Sequence, residues 1–263
     1  MKFNKIFQAA LVFAVVIPSM LTVPSASAAV VYIGSSGTLA GSANFDIVGS
    51  QLKVVLANTS LFDVLVPADV LTALFFNVAA PPSLSAVSAT SGGPTYLSGV
   101  QVSSAGANVG GEWSFDGALI GAPGGVNSGI SSSGLGGVFG QHNFNGPNLS
   151  GPVALGGLQY GITSAGDNLV TGNGGIAGNE ITKNSVTFLL DIGGAFNLNQ
   201  ISAVSFQYGT ALDEPRYSAT CLRGTLGCGS TISQAVTEPT SLALMGLGLL
   251  GAVLTRRRRM DNA

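Results

Sequence analysis

The sequence predicts an all-β fold: a single β-sandwich or jelly-roll-like domain over residues 29–228, set between two apolar ends. Three observations carry that expectation. Apolar and polar residues alternate over several short stretches, the mark of strands with one buried face. No stretch of the interior shows the 3.6-residue apolar stripe of an amphipathic helix. Polarity is carried mainly by Gly, Ser, Asn and Thr, with 38 glycines and only 8% charged residues, a composition shared by secreted β-rich chains and flexible matrix chains. No fixed-period repeat is present, which argues against a solenoid.

Taken in order, residues 1–28 read as a secretory signal peptide. Lys2 and Lys5 precede the apolar run Ile6 to Ile17, and Ala26-Ser27-Ala28 supplies a small-residue cleavage site, so the cut is expected after Ala28. Val30 to Ile33 opens the mature chain as a strand. Ala43, Phe45 and Ile47, then Leu52, Val54 and Leu56, alternate with polar neighbours, and Asn58-Thr59-Ser60 is a turn signal. Leu61 to Val66 and Val70 to Val78 are strand-like on either side of Pro67-Ala68-Asp69. Tyr96 to Val102 and Gly111 to Phe115 are further strand expectations. From Gly117 to Gly157 few apolar residues recur at any period, which predicts a long loop or a series of turns, either a functional rim or a merely mobile segment. Strands resume at Val186 to Ile192 and Ile201 to Tyr208. Cys221 and Cys228, the only cysteines, are expected to form a disulfide in an exported chain. Residues 229–236 form a short linker.

The tail has three parts: Thr237-Glu238-Pro239, an uncharged apolar run over 240–255, and Arg256-Arg257-Arg258-Arg259, with residues 260–263 after them. A helix over the run satisfies its own backbone hydrogen bonds, which lipid demands. Its 16 residues give about 24 Å at ~1.5 Å per residue, short of the roughly 30 Å hydrocarbon core, so the arginine stems must reach to the interface. Arginine costs roughly 2.5–3.5 kcal/mol at the bilayer centre, so four together act as a stop on the cytoplasmic side. Gly246 to Gly251 formally match a dinucleotide-binding glycine pattern but lack the preceding strand and the following acid, so no cofactor is expected.

This order of Glu-Pro, glycine- and leucine-rich span and arginine cluster resembles the PEP-CTERM sorting signal of bacterial exported proteins. Glu238 and Pro239 match the last two letters of its motif, while Thr237 stands where proline is usual. Four blocks also resemble the ectodomain of a family of exosortase-dependent surface proteins: Val66 to Thr72, Asn108 to Trp113, Tyr160 to Asn168, and Val204 to Thr210. The resemblance implies export, transient anchoring in the membrane, processing near Glu238-Pro239 by exosortase, and a final place at the cell surface or outside the cell. It names no biochemical activity.

Removing both ends leaves four basic residues (Lys53, Lys183, Arg216 and Arg223) against ten acids, a net charge of −6. So sparse and acidic a domain argues against nucleic acid, whose phosphates need clustered Lys and Arg. His142 is the only histidine, and no H-E-x-x-H or G-x-S-x-G pattern occurs, so no catalytic residue is assigned and no metal site is expected. The remaining chemistry is thin. Glu112 and Asp116 would share one face of a strand and flank Trp113, whose ring either stacks on a sugar or points into the core. Tyr96, Tyr160 and Tyr208 are further candidates for glycan contact. Gly166-Asp167-Asn168 and Gly172 to Glu180 offer oxygen ligands without the spacing of a known calcium loop. The leading expectation is a non-enzymatic surface or extracellular-matrix protein of biofilm architecture that touches exopolysaccharide. A carbohydrate-binding module is the alternative, and a secreted glycan hydrolase the least favoured.

Overall fold

A computed structural model describes residues 29–80, 83–140, 142–151, 155, 157–222 and 228. The expected signal peptide with its cut at Ala28, the linker 229–236, Glu238-Pro239, the span 240–255 and Arg256 to Arg259 lie outside these residues. Among the described residues no helix is long and apolar enough to cross a membrane.

The all-β expectation holds. β1 (Val30–Ser36), β2 (Leu39–Val48) and β3 (Gln51–Asn58) form an antiparallel meander. Its tight turns place Gly37 and Gly49 at φ of +60° and +63°, which glycine adopts without strain. β4 (Leu71–Val78) enters a second sheet and β5 (Leu84–Ser91) returns to the first. β6 (Thr95–Leu97) and β7 (Val100–Ser103) make a hairpin, and β8 (Ser114–Asp116) pairs with β9 (Ser128–Ser131). β10 (Ile162–Thr163), the four-residue helix α1 (Gly174–Ala177), β11 (Glu180–Lys183) and β12 (Ser185–Ile192) follow. β13 (Ile201–Tyr208), β14 (Arg216–Ser218) and β15 (Thr220–Cys221) complete the fold. A six-stranded sheet runs β15-β1-β2-β3-β12-β5. A nine-stranded sheet runs β14-β13-β4-β10-β11-β6-β7, with β8 and β9 attached beside β4.

The two sheets share one apolar core. Leu52, Val54 and Leu56 of β3 and Val186, Phe188 and Leu190 of β12 turn inward, and they join Leu74 and Phe76 of β4 and Phe206 of β13. Phe45 of β2 meets Phe76 with ring centroids 5.4 Å apart. Each such side chain, fully buried, stabilises the fold by about 1.5–3 kcal/mol. Two smaller clusters flank this core. Ala73 and Phe75, on the other face of β4, pack under Ala122, Val126, Leu135 and Phe139. Val64, Val70, Leu158, Ile176 and Ile181 form the third.

Several expectations are corrected. Leu61 to Val66 is a loop rather than a strand, although five of its six residues are apolar. Gly111 to Phe115 is a 3-10 turn (Gly110–Glu112) leading into β8, so Glu112 and Asp116 do not share a strand face. Tyr96 to Val102 divides into β6 and β7 around Ser98-Gly99. The segment after Gly117 does consist largely of turns, but its described residues include β9 and a layer of apolar side chains that covers β4.

Candidate functional site

β5 is the outer strand of the six-stranded sheet. Over part of its length the open edge is met by irregular chain: Val109 N–H donates to Ala89 O, Ser91 N–H to Ala107 O, and Asn145 N–H to Val87 O. Nearer its start, Leu84 to Ala86 pair with β12 on one side and have no strand on the other among the described residues. An open cleft of about 610 Å³ lies there, with Phe115, Asp116 and His142 on the opposite wall.

β8 positions that wall. Phe115 N–H donates to His142 O, and Ser114 bridges to Asn143, which brings Asp116 and His142, 26 apart in sequence, to one place. His142 Nδ1 stands 3.8 Å from Asp116 Oδ2, and the imidazole is 69% exposed while the carboxylate is 20% exposed. Asp116 Oδ1 also accepts from Ala118 N at 2.8 Å, which fixes the carboxylate at the cleft wall. Among the described residues no serine or threonine hydroxyl bonds to His142. The arrangement offers a carboxylate acceptor, an imidazole, an unpaired strand edge and an apolar floor. Such a set can hold an extended chain bearing hydroxyl or amide groups.

The other predicted residues fall elsewhere. Trp113 is fully buried against Phe188, with ring centroids 4.9 Å apart, so its ring offers no face to a sugar. The glycan contact expected there is corrected: the side chain is a core residue. Tyr160 and Tyr208 are buried as well. Burial, helped by Glu180, pushes Tyr160 up to about 12, and burial raises Tyr208 further. Tyr96 is half-buried against the third cluster. Glu112 is fully buried and accepts from Ser150 N at 2.7 Å, so it does not face the cleft. Glu214 closes a turn by accepting from Ala211 N at 2.7 Å. Asp167 accepts from Val64 N at 3.1 Å, and this carboxylate fastens one loop to another. Among the described residues no group of three or more His, Cys, Asp or Glu side chains gathers as a metal site.

Cys221 and Cys228 form the expected disulfide, with Cα atoms 5.4 Å apart, and both pack against the main core. It closes the chain just after β15, at the last described residue before the tail. The tail decides the assignment. The family model described as PEP-CTERM protein-sorting motif matches residues 235–259. The chain carries the PEP-CTERM sorting signal. That signal implies export, exosortase processing and sorting to the surface or exterior of the cell. A search of curated proteins finds no match to the chain, and neither does a search of solved structures.

The sequence marks Asp116 and His142 separately and gives no sign that they meet. Spacing pairs Asp116 with Glu112, four residues away, because near neighbours are all that it displays. The strand edge at Leu84 to Ala86 went unread, since Leu-Ser-Ala-Val-Ser-Ala-Thr-Ser alternates too weakly to mark a strand.

Proposed function

We propose that this chain is a non-enzymatic protein of the cell surface or extracellular matrix, with a role in biofilm architecture. A signal peptide cut after Ala28 exports it, the span 240–255 holds it in the membrane until exosortase cleaves near Glu238-Pro239, and Arg256 to Arg259 keep the end of the tail inside. The mature domain is then a two-sheet β-sandwich closed by the Cys221–Cys228 disulfide. The observation that carries this reading is the sorting motif at 235–259. A sparse, acidic domain, with a disulfide suited to oxidising surroundings, supports it.

The test is intact-mass analysis of the protein from fractionated cells, in the natural chain and in one lacking residues 237–263. The natural chain should be found outside the cell, shortened at both ends. The truncated chain should change its location and lose the second trimming. The same location and the same end product for both chains would overturn the reading.

A second reading, a carbohydrate-binding module, is favoured by the cleft beside Asp116 and His142. It predicts retention of the cells' own exopolysaccharide by the purified protein and its loss in Asp116→Asn. Equal retention by both proteins would remove the cleft from consideration.

A further inference from the structure

In the loop Leu61 to Val66 four of the five apolar side chains point outward and only Val64 is buried, while the carboxylates of Asp63 and nearby Asp69 bond to backbone N–H groups. Asp63 Oδ1 accepts from Asn168 N at 2.7 Å and, with Asp167 Oδ1, shares the N–H of Val64 at 3.1 Å. Asp69 Oδ2 accepts from Leu65 N at 3.0 Å and Val66 N at 3.2 Å. Asn173 N–H donates to Leu65 O at 3.1 Å, joining this loop to the 163–173 loop. Beside these bonded polar groups, Leu61 is 82% exposed, Phe62 58%, Leu65 50% and Val66 42%. Val170 on the adjoining loop is 77% exposed, and Val100 on the β6–β7 hairpin 68%. The hairpin reaches the same place: a Cβ on Gly99 would lie 2.9 Å from Val170 Cγ1. These loops make one apolar crown. Exposed apolar surface of this extent marks an interaction site.

The crown lies at the end of the domain remote from the tail. Leu222 N–H donates to Val31 O and Cys221 pairs with Tyr32, so the chain leaves beside the start of β1. Ser60 Oγ donates to Thr38 O at 2.6 Å and Thr59 N–H to Ala40 O, which puts the crown at the far end of β1. The strand from Val31 to Ser36, five steps of ~3.3 Å, separates the two by about 17 Å. The crown's cation Lys183 is turned inward, donating to Asp167 O at 3.1 Å, and is not presented to anionic lipid.

We propose that the crown is a self-association surface through which two copies of this chain pair, crown to crown. A twofold contact needs a self-complementary patch. An apolar one meets that need, and the carboxylates of Asp63 and Asp69 beside it are held by backbone N–H groups. A standard interface takes about 800 Å² from each partner around an apolar centre, and the six exposed side chains supply that centre. Paired at the ends away from their tails, two copies would bridge between surfaces. The proposal deepens the scaffold reading and rests on it for where the pairing acts.

The test uses the full chain, purified in mild detergent. Val170→Cys should give a covalent dimer with a bifunctional maleimide. Val48→Cys, 50% exposed at the opposite end of the domain, should not. Sedimentation should show the pairing weakened at least tenfold in the double variant Leu61→Ser/Phe62→Ser, with the melting temperature unchanged because neither side chain is in the core. Equal cross-linking at 48 and 170, or undiminished pairing in the double variant, would overturn the proposal. So would crown-dependent binding to neutral lipid vesicles in place of pairing. Location is read separately: a chain that is sorted and trimmed normally yet does not pair defeats the crown alone, and a missorted chain that pairs defeats only the sorting reading.

Discussion

β3 and β4 contain similar proportions of apolar residues but lie in different surroundings. In β3, Leu52, Val54 and Leu56 are buried and the residues between them are half-exposed, because the outer face of the six-stranded sheet is open. In β4, the first six residues are all buried: Leu74 and Phe76 face the main core, while Ala73 and Phe75 face the layer formed by Ala122, Val126, Leu135 and Phe139. The difference teaches that period-two alternation records water on one face, not the strand itself. Where a second layer covers that face, the alternation disappears.

Truncation on the two faces of β4 tests which layer holds the fold. Phe76→Ala opens a cavity in a core closed by two sheets, and should cost about 3–5 kcal/mol in chemical denaturation. Phe139→Ala removes the ring that meets Phe75 at 5.7 Å from a segment of turns, which can settle into the space, and should cost about 2 kcal/mol. An equal or larger loss for Phe139→Ala would mean that the cover belongs to the core rather than lying over it.

The same contrast explains what was legible in the sequence. β2, β3, β12 and β13 were readable because their apolar side chains are large and, in the first three, because one face is wet. β5 escaped because it uses Ser, Ala and Thr, with a register shift where it pairs with β12 at Leu189-Leu190. The covering layer escaped because Leu135 and Phe139 act singly, held by turns in which Gly136 and Gly137 take positive φ. Leu61 to Val66 looked like a strand because an outward apolar run and an inward one have the same composition. The partner of Asp63 is Asn168, 105 residues on, and no local pattern displays such a contact. The tail was the most legible part because charge and length alone define it.

The disulfide lies at the margin of the better-exposed sheet, which makes it a measure of what an edge is worth. Cys221 and Cys228, seven apart, close a short loop, so the double change to serine should cost about 2–3 kcal/mol, mainly through the unfolded chain. The added hydrogen exchange should be confined to β15 and Leu222, leaving β2, β3 and β12 protected. Exchange spreading through those strands would show that the edge supports the core instead of depending on it.

The smallest expected effect is a pH dependence of the loop fastening under the crown. The hydrogen bonds from Thr171 and Asn168 hold Asp63 below the usual carboxylate range, whereas burial raises Asp167. The two signs oppose. Asp63 contributes stability above its unfolded value, and this is lost as pH falls through its lower folded value. Asp167 contributes below its unfolded value, and this is lost as pH rises through its higher folded value. The fastening should therefore be tightest near pH ~4, around the ordinary carboxylate value, and loosen on either side. Exchange at Val64 and Asn168, corrected for the intrinsic rate at each pH, should pass through a minimum there. Asp63→Asn should abolish the rise on the acid side and Asp167→Asn the rise on the alkaline side. The core of β3 and β12 should show no such minimum. A matching one there would tie the crown's loops to the global stability of the fold, and the separation between a rigid two-sheet core and its independently fastened loops would not stand.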